Sequence, residues 1–142
     1  MIIYTDGACF GNPGSMGVGI VIYDSNMKLL AEISEYVGEG TNNVAEYTAV
    51  IRALETAKIY EPENVELRSD SELLINQLNG KYKIKDLRLR SLKRKIDELT
   101  ENLKIKFVHI PREQNKEADK LSKAAVPKNY NKTGAKYKQQ KL

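Results

Sequence analysis

Hydrophobic and polar positions along this chain change period several times, and each change marks an element. Ile2, Ile3, Tyr4 and Thr5 are apolar or β-branched strand material, interrupted by Asp6. Asp6-Gly7 has hairpin-turn chemistry, yet Ala8, Cys9 and Phe10 follow at once, and Gly11-Asn12-Pro13-Gly14 is the stronger turn. The first strand is therefore expected to run through Asp6. Gly17 to Tyr23 is apolar on both faces, the pattern of a second, buried strand. Asp24-Ser25-Asn26 turns the chain, and Lys28 to Tyr36 alternates, with Leu29, Ala31 and Ile33 on one face of a third strand. Turns this short predict an antiparallel meander.

A loop is expected at Gly38 to Asn43, after which the period becomes helical. Val44 to Tyr60 places Val50, Ala53, Leu54 and Ala57 on one face, with Pro62 just past its end. Val65 to Ser69 reads as a fourth strand, and Ser71 to Leu78 as a short helix ended by Asn79-Gly80. Leu87 to Asn102 is a longer helix, with Leu89, Leu92, Ile96, Leu99 and Leu103 spaced for one buried face. Lys104 to Ile110 is a fifth strand stopped by Pro111, and Gln114 to Val126 a last helix. The order predicts an α/β fold with a mixed five-stranded sheet. Strand–helix–strand crossovers set the fourth and fifth strands parallel to the first. One domain is expected over residues 1–126, followed by a basic, flexible tail over residues 127–142.

Composition narrows the chemistry. Hydrophobic residues at 41% and charged residues at 30% are ordinary for a soluble globule. No run approaches the roughly 18 apolar residues of a membrane span. No basic stretch followed by an apolar core opens the chain, so a cytoplasmic protein is expected. Cys9 is the single cysteine and His109 the single histidine, which excludes an internal disulfide, a cysteine zinc site and a multi-histidine centre. The net charge of +4 is uneven: five lysines and no acid lie in Pro127 to Leu142, leaving 18 basic against 19 acidic residues before them. Such a tail suits a polyanion such as nucleic acid, or serves as a solvated end.

The acids carry the sharper signal. Open α/β sheets gather their chemistry beyond the carboxyl ends of parallel strands. Asp6 lies late in the first strand and Asp70 directly follows the fourth, so neighbouring parallel strands would bring both carboxylates to one edge. Ser69-x-x-Glu72 fits a capping box, which accounts for Ser69 and Glu72 and leaves Asp70 unassigned. Glu46 shares the helix face of Val50, Ala53 and Ala57, which directs it toward the sheet, although Asn43-x-x-Glu46 also fits a capping box. Asp119 sits on the shoulder of the face formed by Ala118, Leu121 and Ala125; a solvated helix acid is the alternative. Carboxylates converging with no base between them repel, and divalent cations remove the repulsion. Without His or Cys, the donors point to a hard ion, Mg²⁺ or Mn²⁺. Two such ions about 3.5–4 Å apart activate a water and stabilise the leaving oxygen of a phosphodiester.

Tyr4-Thr5-Asp6-Gly7-Ala8 with Gly11-Asn12-Pro13-Gly14, Thr41-Asn42-Asn43-Val44-Ala45-Glu46, Ser69-Asp70-Ser71 and Asn115-Lys116-Glu117-Ala118-Asp119 resemble, in order and spacing, the motifs of the type 1 ribonucleases H. The resemblance covers Met1 to about Val126 and is to the short prokaryotic kind. It implies a ribonuclease H-like sheet with helices packed on it. It implies endonucleolytic cleavage of the RNA strand of an RNA/DNA hybrid, by two bound metal ions, giving 5′-phosphate and 3′-hydroxyl ends. Asp6, Glu46, Asp70 and Asp119 match the family's metal-binding, catalytic acids. Asn12, Asn42 and Asn43 match positions that contact RNA 2′-hydroxyls or neighbouring minor-groove groups, which is how a protein tells RNA from DNA. Thr41 matches a residue of the pocket that grips a DNA-strand phosphate. Turn and cap chemistry is the plainer account of these polar residues.

The chain departs from the family twice. The mobile-loop histidine of many members is missing from Pro111-Arg112-Glu113-Gln114, which leaves Arg112 or Glu113 as its substitute. His109 lies too early, inside the strand on the face of Ile105 and Phe107, and is expected at the core or rim. In place of a basic protrusion there is only Lys81-Tyr82-Lys83-Ile84-Lys85, which Arg88, Arg90, Lys93, Arg94 and Lys95 could extend as a phosphate patch. The expected partner is an RNA/DNA hybrid, with double-stranded RNA left open as a second substrate, and the expected state a monomer. The rival reading is a catalytically silent nucleic-acid-binding module on the same fold. Loss of one acid would mark it, and none is lost. A DNA-directed enzyme would have no use for readers of 2′-hydroxyls. A small-molecule α/β enzyme would need a glycine-rich phosphate loop between strand and helix.

Overall fold

Strand β1 (Ile2–Gly11) is the middle of the sheet and runs straight through Asp6. The computed structural model describes residues 1–127, so the lysine-rich tail lies, from residue 128 on, outside the described residues. Asn12 and Pro13 turn β1 into β2 (Gly14–Tyr23), and the two pair antiparallel along their whole length, with Asp6 opposite Gly19. β3 (Leu29–Gly40) pairs antiparallel with β2. It reaches Gly40 and α1 starts at Asn42, so the loop expected at Gly38 to Asn43 shrinks to Thr41; pairing of Ser15 with Glu39 and of Gly14 with Gly40 carries the strand on. β4 (Asn64–Ser69) lies parallel to β1, and β5 (Lys104–His109) parallel to β4, giving the order β3-β2-β1-β4-β5. The mixed five-stranded sheet of the sequence reading is therefore observed.

Alternation along the strands decides which helix covers which face. Ile3, Val18, Ile20, Ile22, Val65 and Leu67 form one core with Tyr47, Val50 and Leu54 of α1 (Asn42–Ala57), Leu74 and Leu78 of α2 (Glu72–Leu78), and Leu89 and Ile96 of α3 (Leu87–Leu99). α1 tightens into one 3₁₀ turn, Lys58–Tyr60, and stops where Glu61 turns left-handed (φ 48°) before Pro62. Of the face expected for α3, Leu92, Leu99 and Leu103 are only partly buried at the edge of this core.

On the opposite face α4 (Lys116–Ala124) rests on β2 and β1, after a 3₁₀ turn at Arg112–Gln114. Gly17 and Gly19 make the contact: a Cβ on Gly17 would lie 2.3 Å from the Ser122 carbonyl oxygen, and one on Gly19 2.0 Å from that of Ala118. Backbone lies on backbone there, and any side chain would lift the helix away. Among the described residues, no helix is long and apolar enough to cross a membrane.

Candidate metal and nucleic-acid site

Both capping boxes read from the sequence are absent. Thr41, not Asn43, caps α1, its Oγ1 accepting from the Val44 N–H at 3.2 Å. Ser71, not Ser69, caps α2 by accepting from the Leu74 N–H, while the Ser69 hydroxyl accepts from the Ser71 N–H at 3.0 Å. The α1 cap lies two residues before the position the pattern favoured and the α2 cap two residues after it, so Glu46 takes no part in capping and Asp70 stays at the strand end.

The parallel register pairs Ile2 with Glu66, Ile3 with Leu67 and Tyr4 with Arg68. Carried two residues further, it sets Asp6 beside Asp70. Glu46 arrives from above. A Cβ on Gly7 would lie 2.4 Å from the Ala45 carbonyl carbon, so only glycine lets the start of α1 come this close to β1. The Gly7 N–H then donates to Glu46 Oε1 at 3.0 Å. One carboxylate oxygen from each of Asp6, Glu46 and Asp70 falls within 4.8 Å of the others.

The electrostatics are those of uncompensated acid. Burial pushes Asp6 up from 3.8 to about 7; the Ser122 hydroxyl opposes the shift, and the charges of Asp70 and Asp119 add to it. Glu46 is raised for the same reasons, burial first, then Asp6 and Asp70, against the Gly7 N–H. Among the described residues no ion pair reaches Asp6, Glu46 or Asp70. An all-oxygen set of converging carboxylates with no neighbouring base fits a hard divalent cation.

Asp119 reaches Asp6 through a side-chain hydrogen bond but lies outside the three-acid group. Its charge acts on Asp6 and Glu46, but its side chain is 35% exposed and its Oδ2 lies 3.2 Å from Lys123 Nζ. The close cluster therefore holds three of the four acids expected to meet, with Asp119 as its flank.

Two neighbours escaped the sequence reading. Ser122 is fully buried and donates to Asp6 Oδ2 at 2.6 Å, whereas Leu121 and Ala125, expected to be buried, are only partly so. Asn115, 1% exposed, donates through Nδ2 to the Thr5 carbonyl at 2.9 Å. The signal for Ser122 was its spacing, one turn beyond Ala118 and Asp119 on the face turned to the sheet.

The polar loop residues gather at the adjoining rim. The Asn42 N–H donates to Asn12 Oδ1 at 3.0 Å, tying the β1–β2 turn to the start of α1. Cys9 Sγ adds to the tie: it lies 2.6 Å from the Gly11 carbonyl oxygen and 3.2 Å from that of Gly40, with one proton to donate to either. Asn12, Asn42 and Asn43 are exposed. Arg112 and Glu113 are exposed in their 3₁₀ turn, and Glu113 borders a groove with Tyr4, Tyr23 and Met27 rather than the acids. His109 closes β5, exposed at the rim and not in the core. Lys81, Lys83, Lys85 and Arg88 are exposed, whereas Lys93 pairs with Asp97 at 2.7 Å and Arg90 Nε donates to the Ile84 carbonyl. That splits the expected patch: its loop half is open, and part of its helix half is engaged locally.

A family model described as reverse transcriptase-like matches residues 4–125. The chain is 39% identical over 124 residues to the ribonuclease HI of Halobacterium salinarum, covering 87% of this chain and 62% of that protein. It is 34% identical to a ribonuclease H of Clostridium botulinum, covering 89% of this chain and 95% of that one. Relatives from Mycobacterium are longer, and the chain spans 35% of their length. Among solved structures, LC11-RNase H1 in complex with an RNA/DNA hybrid superposes with a TM-score of 0.84 at 46% identity, over 88% of this chain and 95% of that one.

Proposed function

The chain belongs to the ribonuclease H family, and from that footing we propose that it cleaves the RNA strand of RNA/DNA hybrids, using two divalent ions, Mg²⁺ or Mn²⁺, and leaving 5′-phosphate and 3′-hydroxyl ends. The observation that carries the reading is the meeting of Asp6, Glu46 and Asp70 within 4.8 Å. These three would hold the metal, with Asp119 at its edge. Bound there, the ions would supply the Lewis acidity that activates a water and stabilises the leaving oxygen. The protein's own part is preorganisation: Gly7 orients Glu46 through its N–H, and Ser122 orients Asp6. Because no lysine or arginine among the described residues pairs with these three carboxylates, their charge is left for the metal to neutralise.

Selection of the hybrid falls to the rim. Asn12, Asn42 and Asn43 offer amides suited to 2′-hydroxyls, which are both donors and acceptors. Thr41 spends a lone pair of Oγ1 on its cap, which leaves its hydroxyl proton to donate to a phosphate of the DNA strand. Lys81, Lys83 and Lys85 add backbone contacts without sequence preference, so binding weakens as salt rises. All four acids come from one chain, so a monomer suffices. Residues 1–126 form the catalytic domain in this proposal, and the lysines of 127–142 add affinity for the polyanion.

The test is cleavage of labelled RNA/DNA hybrid, double-stranded RNA and double-stranded DNA, with and without Mg²⁺ or Mn²⁺. Hybrid cleavage that needs metal and disappears in Asp70→Asn is expected. Binding without cleavage would favour the silent module instead.

A further inference from the structure

Serine is a poor choice in the middle of a helix and worse in a dry interior. Its hydroxyl competes with the backbone, and burying it without a partner is costly. Ser122 nevertheless lies inside α4, fully buried, on a helix whose other buried residue is Ala118. Its oxygen is 2.6 Å from Asp6 Oδ2 and 2.8 Å from the Asp119 carbonyl, three residues earlier. A hydroxyl has one proton, and the shorter contact, to a carboxylate, is the length of a charge-assisted bond.

The fold goes to some trouble to make this contact. Gly19 is the residue paired with Asp6 across β1 and β2. A Cβ there would lie 2.0 Å from the Ala118 oxygen and 2.5 Å from the Ser122 nitrogen. The helix thus rests on bare backbone at the register of Asp6, which brings the hydroxyl within reach. Asn115, just before α4, is tied to the carbonyl of Thr5, the residue before Asp6. The start of α4 is thus tied to β1 beside the acid, and its next turn is seated on β2 opposite the acid.

Fixing one oxygen of a carboxylate fixes the plane of the group, and with it the direction in which the other oxygen is offered. We propose that Ser122 is a positioning residue for the metal site: it holds the Asp6 carboxylate in the orientation that receives a divalent cation, so that ordering this group is not charged against binding. The inference rests on the reading of Asp6 as a metal-holding acid. Partners of this kind, one shell out from the metal, change its affinity by about 10–100-fold when removed.

The experiment is titration of the full chain with Mn²⁺, read as free ion by electron paramagnetic resonance, beside thermal melting without metal. Ser122→Ala keeps the volume nearly unchanged and improves helix propensity, so it folds. Its Mn²⁺ affinity is expected to fall about tenfold. Ala118→Gly is the control, since it loosens the seat of α4 without touching the hydroxyl; it should lower the melting temperature and leave Mn²⁺ affinity as in the wild type. Equal affinity in Ser122→Ala and wild type overturns the positioning role alone. So does an equal loss in both variants, which would make the effect one of packing. A wild type that binds no Mn²⁺ removes the functional reading together with this inference.

Discussion

At Gly7, α1 lies so near β1 that an added Cβ would sit 2.4 Å from the Ala45 carbonyl carbon; at Gly19, α4 lies on β2 at 2.0 Å from the Ala118 oxygen. The two helices are seated by the same device, yet the acids they deliver live in different surroundings. Glu46 is steadied by a backbone N–H, without an ion pair among the described residues, and burial raises its pKa. Asp119 is 35% exposed and has Lys123 at 3.2 Å. Water and a lysine carry the cost of charge on the α4 side; on the α1 side, among the described residues, the Gly7 N–H offsets only part of it. The centre of the site is therefore electrostatically unfinished and the flank is not, and a cation has most to gain at the centre.

The largest test of that contrast is charge removal. Asp6→Asn or Asp70→Asn is expected to abolish hybrid cleavage while raising the metal-free melting temperature, because like charges are relieved. Asp119→Asn should lose activity by about 10–100-fold and leave the melting temperature nearly unchanged. Equal losses from centre and flank would erase the distinction. Next in size is the seating itself. Gly7→Ala and Gly19→Ala each force backbone apart, and each should destabilise by about 3 kcal/mol or more, seen as a lower urea midpoint. If Gly7→Ala were tolerated, the close approach that delivers Glu46 would not be required.

Acidity sharpens the comparison further. Asp6 titrates near 3.8 unfolded and about 7 folded, so between those values the folded state binds the extra proton. Its contribution to stability is complete below about 3.8 and is lost as pH rises through about 7. Without metal, the melting advantage of Asp6→Asn over wild type should widen across that window, and saturating Mn²⁺ should reverse it. A constant difference would mean that Asp6 ionises freely. The smallest effect is expected at the loop lacking a histidine. Arg112→Ala should lower turnover a few-fold and His109→Ala should retain most of it. Steady-state kcat for the two variants decides whether Arg112 substitutes for the missing group.

Element types and order were legible because periodicity is local: alternation in Lys28 to Tyr36 and the spacing of Val50, Ala53 and Ala57 need no partner to be read. Boundaries were less so. β3 outruns its own pattern to Gly40 because β2 supplies pairing, and the caps at Thr41 and Ser71 displaced patterns at Asn43 and Ser69 that fitted on paper.

By itself, the chain determined that its candidate chemistry is carried by carboxylates: one cysteine, one histidine and four acids at telling spacings leave little else. Only tertiary structure decided which of them crowd together, since the 4.8 Å cluster depends on a parallel register and on a helix seated at Gly7. For Ser122, spacing marks the helix face, and only the tertiary structure names its partner. Its bond to Asp6 joins residues 116 positions apart, and burial, which no local pattern measures, makes the bond matter.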